Sequence, residues 1–162
     1  MDDPLVDDDA RALIADLTVR GQTVATAESL TAGLLAATLA GVPGASAALR
    51  GGLVTYTVDT KTALAGVATE LLADVGPVAE PTARALAVGA MQRCGATWGA
   101  GLTGVAGPEP HGGHPVGTVF LGLAGPFGTE VTRIQLDGGR WDIRLGAVRT
   151  AVRRLRLLVE EQ

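Results

Sequence analysis

Apolar residues recur at helical spacing near the start of the chain, where Ala10, Leu13, Ile14 and Leu17 share one face behind the Asp7–Asp9 run. Acidic residues suit a helix start, so the pattern predicts a first helix over residues 7–20, closed by Gly21. A short β-type run follows at 23–27. A stretch of good helix formers at 31–40 then stops at Gly41 and Pro43. Residues 51–58 are rich in β-formers, 71–75 read as a helical fragment ended by Gly76, and 81–94 as a helix with Pro81 in its first turn. Three more strands are predicted at 97–102, 116–124 and 130–136. Gly125–Gly128 between the last two reads as a hairpin turn, which makes that pair antiparallel. Trp141, Leu145, Val148, Val152, Leu155 and Val159 then fall three or four residues apart, predicting a long amphipathic helix that lays one stripe on a sheet.

The alternation predicts an α/β fold: a three-layer α/β/α sandwich on a mixed, mostly parallel five-stranded sheet. Parallel neighbours need crossover helices, and the pattern supplies them everywhere but at the 116–136 hairpin. No repeat or linker interrupts residues 1–162, so a single domain is expected.

Composition narrows this picture. Hydrophobic residues make up 47% of the 162 but aromatics only 3%, and 23 positions are glycine. The core is therefore built from Ala, Val and Leu, which suits closely packed α/β layers better than an aromatic-stacking nucleic-acid module. A net charge of −4 offers no field for polyanions, so no direct nucleic-acid binding is expected. Most of the late arginines, Arg140 to Arg156, read as the solvated face of one helix. The one cysteine, Cys94, excludes an internal disulfide and reads as a buried thiol in a reducing compartment. The acidic start is the opposite of a signal peptide, and the apolar runs break too soon to span a membrane. A cytoplasmic protein without membrane contact is the expectation.

Two segments carry candidate chemistry. Thr26-Ala-Glu-Ser-Leu-Thr-Ala-Gly33 puts Ser29 at a strand-to-helix junction, and Val54-Thr-Tyr-Thr-Val-Asp-Thr-Lys61 puts Lys61 just past a β-type run. Lys61 is the only lysine, and every other basic side chain is arginine. A desolvated lysine can give up its proton near neutral pH, whereas arginine cannot. Ser29 reads either as a helix N-cap or as a nucleophile, and the two can coexist because free N–H groups at a helix start also stabilise an oxyanion. Lys61 reads either as a surface lysine or as a general base whose pKa is lowered by burial or by a nearby charge from Arg50 or Arg140. Tyr56 reads as a half-buried strand tyrosine, facing the same way as Val54 and Val58.

Residues 103–117 hold five glycines, three prolines and both histidines. A glycine-rich loop after a strand can offer N–H groups to a phosphate. His111 and His114 lack a cysteine, aspartate or third histidine nearby, so no metal site is expected. Arg140 and Arg144 flank the start of the last helix and read either as surface charges or as a guanidinium fork for a phosphate.

The two segments, with Pro43–Lys61, Gly76-Pro-Val-Ala-Glu-Pro81, Thr103-Gly-Val-Ala-Gly-Pro108, Pro115-Val-Gly-Thr118 and the Arg140–Arg144 region, resemble the amidohydrolase domain of the competence/damage-inducible CinA proteins, the nicotinamide-mononucleotide deamidases also called PncC. The likeness runs in order through nearly the whole chain. It implies the same sandwich, Ser29 as nucleophile, Lys61 as general base, Tyr56 placing the lysine or the substrate, and Ser46 relaying protons between base and nucleophile. It implies substrate contacts from Glu28, Thr31, Gly33, Thr103, Gly104, Ala106, Gly107, Arg140 and Arg144. Some positions depart from the family's habit: Leu30 for a frequent cysteine, Ala32 for a common glycine, Gly139 for an aspartate, and His114 for a lysine. They leave the Ser–Lys pair intact and the fine specificity open.

The resemblance implies a cofactor-free amidohydrolase that converts nicotinamide mononucleotide to nicotinic acid mononucleotide and ammonia, in pyridine-nucleotide salvage. The domain often follows a second one in this family, so standing alone it is expected to be a self-sufficient enzyme, and a homodimer is plausible. The competing reading is a nucleotide-binding or interaction module without turnover, linked to competence or DNA damage.

Overall fold

The computed structural model describes residues 1–162. Its elements run α1 (Asp8–Arg20), β1 (Val24–Glu28), α2 (Leu34–Ala40), a 3-10 turn (Ala45–Ala47), β2 (Leu49–Val54), α3 (Val58–Ala65), α4 (Thr69–Val75), α5 (Glu80–Cys94), β3 (Trp98–Gly104), β4 (Thr118–Gly125), β5 (Gly128–Gln135) and α6 (Arg140–Glu160). The sheet order is β2-β1-β3-β4-β5. β1 pairs parallel with both β2 and β3, while β3–β4 and β4–β5 are antiparallel. Only β4 therefore runs against the other four strands. The antiparallel part begins one pair earlier than the 125–128 turn alone indicates, because the long 105–117 connection carries no helix and returns directly.

Side chains alternate across the sheet as the pleat demands. Val24, Ala100, Leu102, Leu121 and Leu123 pack on one face under α1, α2 and α6. Ala25 and Ala27 pack on the other under α3, α4 and α5. β1 lies between β2 and β3 and is entirely buried. The glycines let α5 lie almost on the strands: a Cβ at Gly101 would stand 2.5 Å from the Ala87 nitrogen, and one at Gly122 would stand 2.3 Å from the Ala83 carbonyl oxygen. This explains how a core with so few aromatics is dense; backbone approaches backbone instead.

Several local expectations change. α2 starts at Leu34 rather than Thr31, because Ala32 (φ 47°) and Gly33 (φ 95°) are left-handed and cannot continue a helix. β2 ends at Val54, and residues 58–65 form a helix, so Tyr56 lies in a loop and Lys61 on a helix. Thr57 and Thr60 close a reciprocal capping box there, which overrides the β-branched composition of the segment. On α6 the buried stripe is led by Ile143 and Ala147, and Trp141 is exposed. Cys94 is half-buried rather than buried. The late arginines are not all solvent-facing charges: Arg149 pairs with Asp7, and Arg153 and Arg156 pair with Asp9, tying α6 to α1. No helix is long and apolar enough to cross a membrane.

Candidate active site

β1 and β2 end side by side, with Glu28 opposite Val54, and the Thr55 N–H donates to the Glu28 carbonyl at 2.8 Å. Both chains leave the sheet at this carboxyl end, where ligands bind in open α/β sheets. Ser29 is the first residue past β1, held by its N–H to the Leu102 carbonyl at 2.9 Å. Lys61 sits on the first turns of α3, and helical side chains lean toward their own N-terminus. The Lys61 amine donates to Ser29 Oγ at 2.9 Å and to the Thr55 carbonyl at 2.7 Å.

Lys61 is almost completely buried, 1% exposed. No carboxylate partners it, and burial depresses its pKa from 10.5 to about 8. That cause is desolvation. The suggested charge effect of Arg50 or Arg140 plays no part, and Arg50 instead donates to the Cys94 carbonyl at 3.0 Å. A lysine in this state is partly neutral near physiological pH and can accept the hydroxyl proton of the serine it touches.

An open cleft of about 500 Å³ extends from this pair. Tyr56, Thr103, Gly104, Ala106, Gly107 and Arg140 all line it, as does Leu30. The Thr103 hydroxyl donates to the Pro77 carbonyl at 2.6 Å, which ties the 76–81 segment to the end of β3. Arg140 spans the mouth, donating to the Gly107 carbonyl and, at 2.9 Å, to the Tyr56 hydroxyl. Tyr56 is exposed, not half-buried, and meets neither Ser29 nor Lys61 through a hydrogen bond. The cleft also holds Pro77, Val78, Glu109 and His111, which sequence reasoning did not assign. Their blocks were visible, but nothing in the sequence brings residues 77, 109 and 140 together. Thr55 was missed too, since its role is played by a main-chain carbonyl.

Several expected site residues lie elsewhere. Ser46 is exposed on the 3-10 turn that enters β2, beside Val24 at the opposite end of β1. A strand's length, about 15 Å, separates it from Ser29, so it cannot relay protons there. Glu28 is fully buried, and its carboxylate is consumed by the N–H groups of Leu35 (2.8 Å) and Ala36 (3.0 Å) and by the Thr26 hydroxyl (3.0 Å). It caps α2 and points no charge at a substrate. Ser29 is accordingly not the cap of that helix. Thr31 and Gly33 do not line the cleft, and the buried Thr31 hydroxyl has no partner. Arg144 is also outside the cleft, with its guanidinium bonded to the Leu30 and Thr31 carbonyls. His111 and His114 pair through their backbones, and no third metal-ligating side chain joins them.

A serine beside a desolvated lysine stands at the carboxyl edge of this sheet, and comparison with known proteins gives the chain its family. The CinA C-terminal domain profile matches residues 7–159, and the chain belongs to the CinA family. It is 49% identical over 147 residues to a CinA-like protein of Frankia casuarinae, covering 90% of this chain and 34% of that protein. The chain spans about a third of the length of the curated relatives it matches. The competence/damage inducible protein CihA of Agrobacterium tumefaciens has the same fold at a TM-score of 0.91 and 38% identity, over 99% of this chain and 98% of that one. A CinA superfamily protein from Klebsiella pneumoniae superposes at 0.92 with 29% identity, over 96% and 98%.

Proposed function

We propose that this protein is an amidohydrolase that deamidates nicotinamide mononucleotide, with Ser29 as nucleophile and Lys61 as its base. The observation that carries the reading is the 2.9 Å contact between a buried lysine amine and a serine hydroxyl at the floor of a cleft. Neutral Lys61 takes the Ser29 proton as Oγ bonds to the carboxamide carbon, and the carbonyl π pair moves onto oxygen. The lysine then returns that proton to the leaving nitrogen, the C–N bond breaks, and ammonia departs from an acyl-enzyme. Water, deprotonated by the same amine, attacks the ester carbon. Collapse releases the acid and restores the Ser29 hydroxyl.

The substrate carries its own positive pyridinium ring, which a charged lysine would repel and a neutral one tolerates. Its phosphate suits Arg140 at the mouth of the cleft, where the guanidinium is exposed and would exchange the Gly107 carbonyl and Tyr56 hydroxyl for phosphate oxygens.

The test is ammonia release from nicotinamide mononucleotide by wild type, Ser29→Ala and Lys61→Met. Turnover by wild type and loss of at least about a thousandfold in both variants is expected, the scale on which removing a member of a nucleophile–base unit acts. A Ser29→Ala variant keeping a tenth of wild-type turnover would sink the covalent route. Tight nucleotide binding with no turnover by wild type would instead favour a binding module.

A further inference from the structure

The cleft wall holds one carboxylate, Glu109, and the mechanism above gives it no task. It is exposed, and no hydrogen bond or ion pair engages it; the glutamates that pair with arginines are Glu80, Glu130 and Glu160. Arg140 lines the same cleft and donates to the carbonyl of Gly107, only two residues from Glu109. Its guanidinium is nevertheless turned to that carbonyl and to the Tyr56 hydroxyl, not to the carboxylate. A cation and an anion therefore face the cleft as separate poles. The segment that carries Glu109 is braced. Pro108 fixes its own φ, and Pro110 disfavours helical backbone at Glu109. The main chains of His111 and His114 pair around left-handed Gly112 (φ 58°) and Gly113 (φ 79°), which closes the tip in a turn. At the base, the Val105 carbonyl accepts from the Gly117 N–H at 2.8 Å, and the Val105 N–H donates to the Thr118 carbonyl at 2.9 Å.

We propose that Glu109 is a specificity residue: its carboxylate attracts the positive ring of a pyridinium nucleotide and so favours it over a nucleotide amide of the same shape whose ring is neutral. The inference rests on the substrate class proposed above. A nucleotide with its carboxamide at Ser29 and its phosphate at Arg140 lays its ring and sugar between those ends, along the wall that Gly104, Ala106 and Glu109 share. The ring charge calls for a counter-charge on that wall, because the floor is occupied by Lys61, which must be neutral to act as a base. Attraction between charges falls only as the inverse of their distance, so it does not demand the fixed geometry of a hydrogen bond. That suits an exposed carboxylate which no partner orients. Glu109 makes and breaks no bond; it acts on which nucleotide the cleft holds.

The experiment measures binding of two ligands in a Ser29→Ala background, where neither is turned over. One is nicotinamide mononucleotide; the other is benzamide riboside 5′-phosphate, which keeps the carboxamide, sugar and phosphate on an uncharged ring. Glu109→Gln should weaken the first about threefold to tenfold and leave the second within about twofold, the scale of one charge pair in a water-exposed setting. Glu109→Lys should lower the ratio of the two affinities further, and any effect of the new charge on phosphate cancels in that ratio. Raising ionic strength from about 0.02 M to about 0.5 M should shrink the preference of the Ser29→Ala parent for the charged ring and leave that of Glu109→Gln nearly constant. Glu161→Gln, which removes the same charge beside Trp98 at the other end of the sheet, should leave the ratio unchanged. An unchanged ratio in Glu109→Gln overturns the proposal. Equal weakening of both ligands also overturns it, and assigns Glu109 to the sugar hydroxyls. Ammonia release by wild type is scored separately: its absence removes the amidohydrolase reading, while the affinity ratio still decides Glu109. Failure to bind either nucleotide overturns both.

Discussion

Lys61 Nζ and Ser29 Oγ meet at 2.9 Å across 32 positions of sequence. Parallel pairing of β1 and β2 brings their carboxyl ends together. The Thr57–Thr60 capping box then turns the chain into α3, and the lysine stem lies buried between helix and sheet. No carboxylate pairs with the amine, whose partners are the Ser29 hydroxyl and the Thr55 carbonyl. The pair is therefore a serine hydroxyl beside an amine whose proton is loosely held.

Lys61→Arg should be nearly as inactive as Lys61→Met. Arginine keeps a positive charge but cannot act as a base, and its planar head does not fit a site sized for an amine between Ser29 Oγ and the Thr55 carbonyl. Steady-state ammonia release decides it. Activity within tenfold of wild type in the arginine variant would show that Lys61 serves only as a charge.

The pH dependence of both activity and stability follows from a lysine whose pKa falls from 10.5 to about 8 on folding. Turnover should rise as pH increases through about 8, where the amine becomes neutral, and level off above. For stability, both states hold the proton below pH 8, and the burial penalty is fully present. Between pH 8 and 10.5 the folded protein has released the proton while the unfolded chain keeps it, so stability climbs with pH and then levels. The stability of wild type relative to Lys61→Met should therefore improve by about 3 kcal/mol from pH 7 to pH 10.5. Urea unfolding of both proteins at the two pH values measures this difference, and a pH-independent gap would contradict it.

Ala32→Gly should stabilise the fold. Ala32 is exposed and left-handed at φ 47°, so its methyl packs against little and strains the backbone. Relief of that strain, less the extra freedom of glycine in the unfolded chain, is worth up to about 1 kcal/mol, or roughly 2–4 °C in Tm. Calorimetry showing a lower Tm would mean that the turn is not strained at this residue.

Arg140→Ala should raise KM for nicotinamide mononucleotide about tenfold to a hundredfold and leave kcat nearly unchanged, as loss of a charge-assisted contact made equally in ground and transition states requires. The phosphate-free riboside is the control, since its KM should barely respond. An equal loss on both substrates would move the phosphate away from Arg140.

The sequence by itself determined the layers. Period-two and period-3.6 patterns, with Gly and Pro punctuation, placed β1, α5, β4, β5 and α6 within a few residues, because these elements bury continuous apolar stripes. Ser29 and the lone Lys61 were legible as chemistry because a serine at the end of a buried strand and a single lysine among arginines are exceptional in type. Only the tertiary structure decided what surrounds them. Two left-handed residues delay α2 and free the turn after Ser29, a long-range effect no periodicity encodes. Glu28 and Arg144 are charged residues beside the site, yet folding spends both on backbone groups, and Ser46 is carried to the wrong end of a strand. Charge and hydroxyl chemistry can be read from a letter. Which side of a turn a side chain faces, and how dry it is there, depends on strands and helices that meet only when the sheet closes.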